Sequence, residues 1–399
     1  MIIHEYQAKQ ILSANGIKVP KGAIAYTPQE AKNVARRISV RGPWVLKAQI
    51  HSGARNHGRF AESRAGTAGG IRIVDTLKDV YSNAEEMLGS TLITSQTGAK
   101  GRVVSRIYVE AYNKVGHTFY LGMAIDRTLP AVTLLAANTR DDDIADIVAN
   151  SPDRILRIPL DLTGPSHAQT NQIADFLKLQ NKSEDSFHNF VRGMFKTFIG
   201  SDALMVEINP AGVLKNGEIV ALDAKISLDD SALYRHEENL RFKDDYEIEP
   251  RRLKASNYGF VYHEYEGNIG CIVNGDGLAL AMMGLMNSGD NSVACTLNVK
   301  GSVDRDKIAA GIKIIATNPR VEGIVINILG GFLRCDLIAD GIIDAAAEVG
   351  MNIPLVVRFE GTNRNEACNI LEQAKLPLIM AKDMEDAVSK ILTAVEEGE

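Results

Sequence analysis

One tryptophan, four cysteines and an aromatic content of 6% are unusually little for a chain of 399 residues, and no hydrophobic run compensates for them. The longest apolar stretch, about Gly323 to Leu333, falls short of the ~20 residues a transmembrane helix requires, so no membrane span is expected. Cys271, Cys295, Cys335 and Cys368 lie far apart without a C-x-x-C pair, which speaks against a disulfide framework and for free thiols acting as small buried hydrophobes in a reducing compartment. The opening Met1-Ile2-Ile3-His4-Glu5 lacks a basic segment followed by an apolar one, so no secretory signal is expected and the location reads as cytoplasmic, or the mitochondrial matrix in a eukaryote. There is no block of Lys and Arg either. A formal charge of -6 and a pI near 5.8 argue against nucleic acid or an anionic membrane as the principal partner.

What is present is an ordinary globular composition, 45% hydrophobic and 24% charged, in a chain long enough for two or three domains. The spacing of Tyr6, Ala8, Ile11 and Leu12 predicts a helix over 4–14 that Gly16 terminates in a left-handed cap. Thr27-Pro28-Gln29-Glu30 reads as an N-cap, a first-turn proline and a reciprocal glutamate opening a second helix. Runs rich in Val, Ile, Thr and Tyr at 44–50, 91–96, 102–112, 118–126 and 131–137 predict mostly antiparallel strands, and 171–198 returns to a helical period. Residues 204–214 and 218–228 predict a hairpin around Lys215-Asn216-Gly217. The expected fold class is α+β for this part, residues 1–240, followed by a charge-dense linker at 241–252. Over 253–399, five strands alternate with helices starting near Asp276, Asp304, Cys335, Asn363 and Met384, which predicts an α/β doubly wound parallel sheet with ligands at the strands' carboxyl ends.

Three places carry possible chemistry. Lys47 interrupts an apolar strand and is followed by the basic, glycine-containing loop Ser52-Gly53-Ala54-Arg55; a strand cation and loop amides together can hold a polyphosphate, although a lysine snorkelling from an edge strand leaves the same trace. His51 and His57 sit in the same loop, either against a substrate or in solvent. In the hairpin, a three-residue loop with Gly217 left-handed sets Asn209 opposite Asp223 and Glu207 opposite Lys225, whereas a two-residue turn separates the first pair onto opposite faces. Asn and Asp oxygens are the hard ligands Mg²⁺ prefers; a solvated polar face is the other reading. Finally, Asn274-Gly275-Asp276-Gly277, Leu329-Gly330-Gly331 and Glu360-Gly361-Thr362 end three strands of one sheet, either as tight turns or as a cradle for a phosphate-bearing group at a helix start.

The motifs His4-Glu5-Tyr6-Gln7-Ala8-Lys9, Lys47-Ala48-Gln49-Ile50-His51, Glu207-Ile208-Asn209-Pro210, Leu222-Asp223-Ala224-Lys225, Ile269 to Gly275, Arg334 to Gly341 and Glu360 to Asn363 resemble, in order and over nearly the whole chain, the β subunit of ADP-forming succinyl-CoA synthetase and its malate–CoA ligase relatives. The resemblance implies an ATP-grasp domain followed by a flavodoxin-like CoA-ligase domain. It implies that Lys47, Gly53 and Arg55 contact the nucleotide phosphates, that Glu110 lies near the base, that Asn209 and Asp223 hold Mg²⁺, and that Glu207 orients a phosphohistidine. Asn274, Gly275, Gly330, Gly331 and Phe332 would meet the acid substrate and the phosphohistidine. The phosphohistidine and most of the CoA site belong to a partner α subunit, in an αβ heterodimer or (αβ)₂ assembly, and Pro20 favours ATP over GTP. The acid would be succinate, malate or a related dicarboxylate.

The chain departs from the family at four points. Asp276 replaces an alanine, Asn298-Val299-Lys300-Gly301-Ser302-Val303 replaces Asp-Val-Gly-Gly-Gly-Ala, Phe332 replaces an isoleucine, and Arg140-Asp141-Asp142-Asp143 replaces a glycine pair. An anion at Asp276 opposes a phosphate unless it is protonated or turned away. Three of these changes lie at strand ends of one crevice, where they would act on the acid substrate or on the α-subunit contact; the expectation is an acid that is not, or not only, succinate. Another ATP-grasp ligase has no need of the second domain; a degenerate nucleotide-binding scaffold is the remaining alternative, and retained Lys47, Glu207, Asn209 and Asp223 argue against it.

Overall fold

A computed structural model describes residues 1–128, 131–138, 144–179, 183–286, 291–301, 303–331, 333–349 and 353–397. Phe332, Ser302 and Arg140 to Asp143 therefore lie outside the described residues. The chain divides into two units, Met1–Glu247 and Ile248–Glu399. The expected linker at 241–252 falls partly in each: Phe242 and Asp244 are buried in the first unit, and Pro250–Asn257 is a helix of the second.

In the first unit, helix Glu5–Ala14 opens with the Gln7 side chain accepting from the His4 amide at 2.8 Å and is followed by Gly16 at φ 83°. Helix Pro28–Ile38 is capped by Thr27, whose hydroxyl accepts from the Glu30 amide at 3.1 Å. The Glu30 carboxylate accepts from Tyr26 rather than from the cap itself, one residue earlier than a reciprocal capping box requires. These helices serve two antiparallel sheets. The smaller has the order Gly22–Ala25, Ile107–Ala111, Trp44–Ala48, Ile71–Val74, and helices Pro28–Ile38 and Leu77–Met87 pack against it through Val34, Val80 and Met87. The larger runs Leu156–Leu160, Ala131–Ala137, Val115–Asp126, Ala203–Leu214, Ile219–Ala221, with Ala224–Leu228 also paired to Ala203–Leu214. Its core takes Leu12 from the first helix and Phe187, Phe190, Val191 and Phe198 from helix Glu184–Gly200. The helical stretch expected over 171–198 is two helices, His167–Phe176 and Glu184–Gly200.

The hairpin adopts the three-residue loop. Leu214 pairs with Glu218 across Lys215-Asn216-Gly217, Gly217 has φ 90°, and the register sets Ala211 against Ala221 and Glu207 against Lys225. The Asn209 amide donates to the Asp223 carbonyl at 3.3 Å, so these two residues face each other. The returning strand is interrupted at Leu222-Asp223, where the Leu222 and Asp223 amides both donate to the Pro210 carbonyl, at 3.1 and 3.4 Å.

The second unit has the sheet order Val261–Glu264, Val293–Asn298, Ile269–Val273, Gly323–Gly330, Leu355–Gly361, Leu378–Met380, parallel except for its antiparallel first strand. Helices Asp276–Met286 and Met384–Glu396 cover one face through Met282, Met286, Val388 and Ile391. Helices Arg305–Ala316, Cys335–Val349 and Arg364–Gln373 cover the other through Ile308, Ile312, Ile338, Ile342 and Leu371. Chain order reverses beside Ile269–Val273, whose neighbours are the second and third parallel strands, and this switch point is where doubly wound sheets bind ligands. Among the described residues, no helix is long and apolar enough to cross a membrane. All four cysteines are free thiols.

Candidate functional site

Lys47 sits on Trp44–Ala48, an interior strand of the four-stranded sheet, and burial there obliges its ammonium to find acceptors. It finds three: Glu5 Oε1 at 2.7 Å, Glu110 Oε1 at 2.7 Å and the Leu222 carbonyl at 2.6 Å. Glu110, on the adjoining strand, gives its other oxygen to Lys9 at 2.6 Å. Lys9 also donates to Glu5 Oε1 at 2.7 Å and to the Leu222 carbonyl at 2.7 Å. Arg55 Nη2 reaches Glu5 Oε2 at 2.7 Å and Asp223 Oδ2 at 2.6 Å, and its Nη1 donates to the Ala48 carbonyl at 2.9 Å. Three carboxylates and three cations thus form one closed, formally neutral network.

Its electrostatics follow from burial and pairing. Burial alone raises the Glu5 carboxyl, but Lys47, Lys9 and Arg55 outweigh it and hold the group well below the usual carboxylate range. Burial likewise pulls Lys47 and Arg55 down, and the surrounding carboxylates raise both above their ordinary values. At His51 the Asp244 carboxylate is too weak an influence to offset burial. Burial, followed by His4 4.2 Å away, pushes it down to about 3. His4 is lowered too, chiefly by burial, while its ring bonds to Asp244 at 2.8 Å. His4, Asp244 and Glu247 are close enough to hold a metal ion, but the Arg106 guanidinium, 2.6 Å from the same Asp244 oxygen, already supplies the cation.

Beside this network opens a cleft of about 590 Å³, a volume suited to a small ligand. Glu5, Gly53, Arg55, Glu207, Asn209, Asp223 and Lys225 line it, with His51 and His57 at the loop side. The loop places Ala54 at φ 55°, a left-handed backbone that costs a non-glycine residue roughly 1 kcal/mol and is characteristic of ligand-gripping turns. The Gly53 amide donates to Gln96 Oε1 at 2.8 Å, and a Cβ at Gly53 would stand 2.8 Å from that side chain. Asn209 and Asp223 bring two hard oxygen donors into the same cleft from facing hairpin positions, a donor set that fits Mg²⁺ once Asp223 exchanges its Arg55 contact. Glu207 lies opposite Gly122 and adds to the forces that raise the buried Tyr120 hydroxyl. Lys47 and Glu110 lie behind Glu5 rather than on the cleft wall, so Glu110 stands in the network and pairs with Lys47 and Lys9.

In the second unit the three glycine-bearing turns meet. The Asn274 amide bridges to the next strand twice, donating to the Leu329 carbonyl at 2.7 Å and accepting from the Leu329 amide at 2.9 Å. Gly330 pairs with Gly361, whose φ of 115° and 1.8 Å spacing from a built Cβ to the Gly330 carbonyl admit only glycine. The Thr362 hydroxyl donates to the Gly331 carbonyl at 3.2 Å. Asn274, Gly275, Gly330 and Gly331 therefore share one strand-end crevice. Asp276 is turned toward the neighbouring strand, where the Asn298 amide donates to its Oδ1 at 2.7 Å. The altered loop is held by the same asparagine: the Lys300 amide donates to Asn298 Oδ1 at 2.9 Å, with Lys300 at φ 56° and its side chain exposed.

Glu5, Lys9 and Gln96 carry contacts at the first site that sequence reasoning did not assign. A signal existed for two of them, since Glu5 and Lys9 are spaced by one helical turn within the quoted His4 to Lys9 motif.

A family model described as an ATP-grasp domain matches residues 2–213, and one described as CoA-ligase matches residues 272–392. The β subunit of succinate–CoA ligase (ADP-forming) from Rhodospirillum rubrum is 42% identical over 400 residues, with 100% of both chains covered. The same subunit from Paramagnetospirillum magneticum is 41% identical, also over 100% of both chains. Among solved structures, ATP citrate lyase from Methanothrix soehngenii in complex with citrate and coenzyme A aligns at a TM-score of 0.72, covering 98% of this chain and 99% of that one; at 14% identity the likeness is one of fold.

Proposed function

The chain belongs to the family of ADP-forming succinate–CoA ligase β subunits, with an ATP-grasp domain followed by a CoA-ligase domain, and from that premise we propose that it is the nucleotide-binding subunit of an ATP-dependent carboxylic acid–CoA ligase acting through a phosphohistidine on a partner α subunit. The observation that carries this reading is the convergence, in one cleft, of Arg55 and the Gly53 loop with the hairpin pair Asn209 and Asp223. Arg55 and Gly53 meet the ATP phosphates from the loop side, Lys47 supplies the buried cation behind them, and Glu110 holds Lys47. Asn209 and Asp223 hold Mg²⁺, which when bound neutralises phosphate charge during transfer. Glu207, on the cleft wall, orients the incoming histidine.

In the second unit, Asn274, Gly275, Gly330, Gly331 and Phe332 meet the acid and the phosphohistidine, whose negative charge the start of helix Asp276–Met286 favours. With the Asp276 carboxylate taken up by Asn298, this helix start remains compatible with an anion. The changes at Asp276, Lys300 and Phe332 support a dicarboxylate other than, or in addition to, succinate. The α subunit brings the histidine and most of the CoA site, in an αβ heterodimer or (αβ)₂ assembly, in the cytoplasm.

The test mixes the chain with a family α subunit, Mg-ATP, CoA and a panel of carboxylic acids, and follows ADP release beside phosphorylation of the α-subunit histidine. ADP release dependent on both acid and CoA is the expected result and names the substrate. A clear preference for succinate over malate and other dicarboxylates sinks the altered-acid reading; nucleotide binding without histidine phosphorylation, across competent α subunits, favours the scaffold.

A further inference from the structure

We propose that Glu5 is a positioning residue of the nucleotide site: its two carboxylate oxygens fix the spacing of Lys47 and Arg55, and Lys9 is the counter-cation that allows a carboxylate to stand between them. The inference rests on the nucleotide reading above and extends it to the first helix, which that reading does not use.

Among the described residues, Glu5 is the one carboxylate paired with both cations. Oε1 accepts from Lys47 at 2.7 Å and Oε2 accepts from Arg55 at 2.7 Å, whereas Glu110 touches Lys47 alone of the two and Asp223 touches Arg55 alone. When Asp223 turns to a metal ion, Glu5 is the carboxylate that keeps Arg55 in place. Lys9 is 1% exposed and does not face the cleft, so it has no direct route to a ligand. It joins Glu5 Oε1, Glu110 Oε2 and the Leu222 carbonyl, and Lys47 grips that same carbonyl at 2.6 Å. Leu222 immediately precedes Asp223. One pair of residues on a buried helix face therefore sets the two cations and the backbone that carries the metal-side carboxylate. The Glu5–Lys9 pair adds no net charge to the site, so its contribution is chiefly geometric. Phosphoryl transfer depends on that geometry, because a shift of about 1 Å in a positioning group can slow a reaction ~100-fold.

The experiment uses the full chain with its α subunit and compares the native protein, Glu5→Gln, and the double variant Glu5→Gln/Lys9→Met, in which the network is again formally neutral. Mg-ATP binding is read by calorimetry, transfer by single-turnover phosphorylation of the α-subunit histidine, and folding by melting temperature. The expected result is Mg-ATP affinity weakened by no more than about 10-fold in both variants, the loss expected of Arg55 itself, with transfer slowed about 100-fold or more beyond that in both. If Glu5→Gln does not fold, the neutral double variant carries the test. Transfer within about 3-fold of native in either variant overturns the proposal, as does a parallel loss of Mg-ATP binding and transfer, which is the mark of a merely structural role. If the native chain neither binds Mg-ATP nor phosphorylates an α subunit, the nucleotide reading falls and takes this inference with it; a competent native chain with competent variants overturns the inference alone.

Discussion

The two units hold their sites by opposite means. In Met1–Glu247 the site is built from long charged side chains that bond to one another across a helix, two strands, a loop and a hairpin. In Ile248–Glu399 it is built from backbone: glycines that admit a carbonyl where no Cβ fits, an asparagine that continues the ladder with its amide, and a helix start. A charged ligand at the first would have to exchange partners with the network, since Lys47 already has three acceptors. The second offers a shape and a polarity fixed by the fold. Substitutions should separate the two. The single tryptophan, Trp44, is buried in the first unit, so its fluorescence follows that unit while circular dichroism follows both.

The largest effect is expected at Lys47. Lys47→Met leaves Glu5 and Glu110 buried with one cation fewer and should destabilise the first unit by about 3–5 kcal/mol and reduce ADP formation by at least ~1000-fold. Trp44 fluorescence in urea and an ADP assay check both, with the second unit's transition unchanged. Gly361→Ala is the counterpart in the second unit. It forces a side chain against the Gly330 carbonyl at a left-handed φ and should cost about 3 kcal/mol there, while Mg-ATP affinity of the first unit stays native.

A smaller effect is set by pH. His51 titrates near 3 when folded and near 6.5 when unfolded, so below pH 6.5 the unfolded chain takes up a proton that the folded chain refuses. Its contribution is complete above 6.5 and is lost as pH falls toward 3, about 2 kcal/mol of it between pH 6.5 and 4.5. Glu5 acts in the same direction but lower, losing its contribution as pH falls from the unfolded carboxylate value through its depressed folded value. Denaturant midpoints followed at Trp44 should fall across pH 6.5 to 4.5, and His51→Gln should flatten that slope. The smallest effect is expected at Asp276, whose removal by Asp276→Ala breaks one side-chain bond to Asn298 and should change stability by under about 1 kcal/mol. Its signature is a shift in relative kcat/KM across the acid panel with the KM for ATP unmoved.

The contrast also explains what could be read in advance. The second unit was legible because alternating strands and helices with glycine at strand ends leave local signals, and the adjacency of those ends follows from the sheet's topology. Its antiparallel edge strand Val261–Glu264 was not, being short and half charged. In the first unit the hairpin was legible but its register was not, since Asn216-Gly217 alone also allows a two-residue turn; Leu214 pairing with Glu218 and Glu207 with Lys225 decide for the three-residue loop. The strands Gly22–Ala25 and Ile71–Val74 escaped because four residues each give no period to count. Helix Leu77–Met87 escaped although Thr76 caps it through the Asp79 amide. The charged network left the least trace. Lys47 is 42 residues from Glu5 and 175 from Leu222, and only the assembled fold tells a buried, saturated lysine from one snorkelling to solvent.

The most direct measurement is equilibrium binding of Mg-ATP to the isolated chain, native against Asp223→Asn and Arg55→Ala, by calorimetry at fixed free Mg²⁺. The account predicts saturable one-site binding by the native chain, a loss of Mg²⁺ dependence in Asp223→Asn and at least 10-fold weaker nucleotide binding in Arg55→Ala, about 1.4 kcal/mol or more. Native-like Mg-ATP binding in both variants would contradict it and place the nucleotide elsewhere.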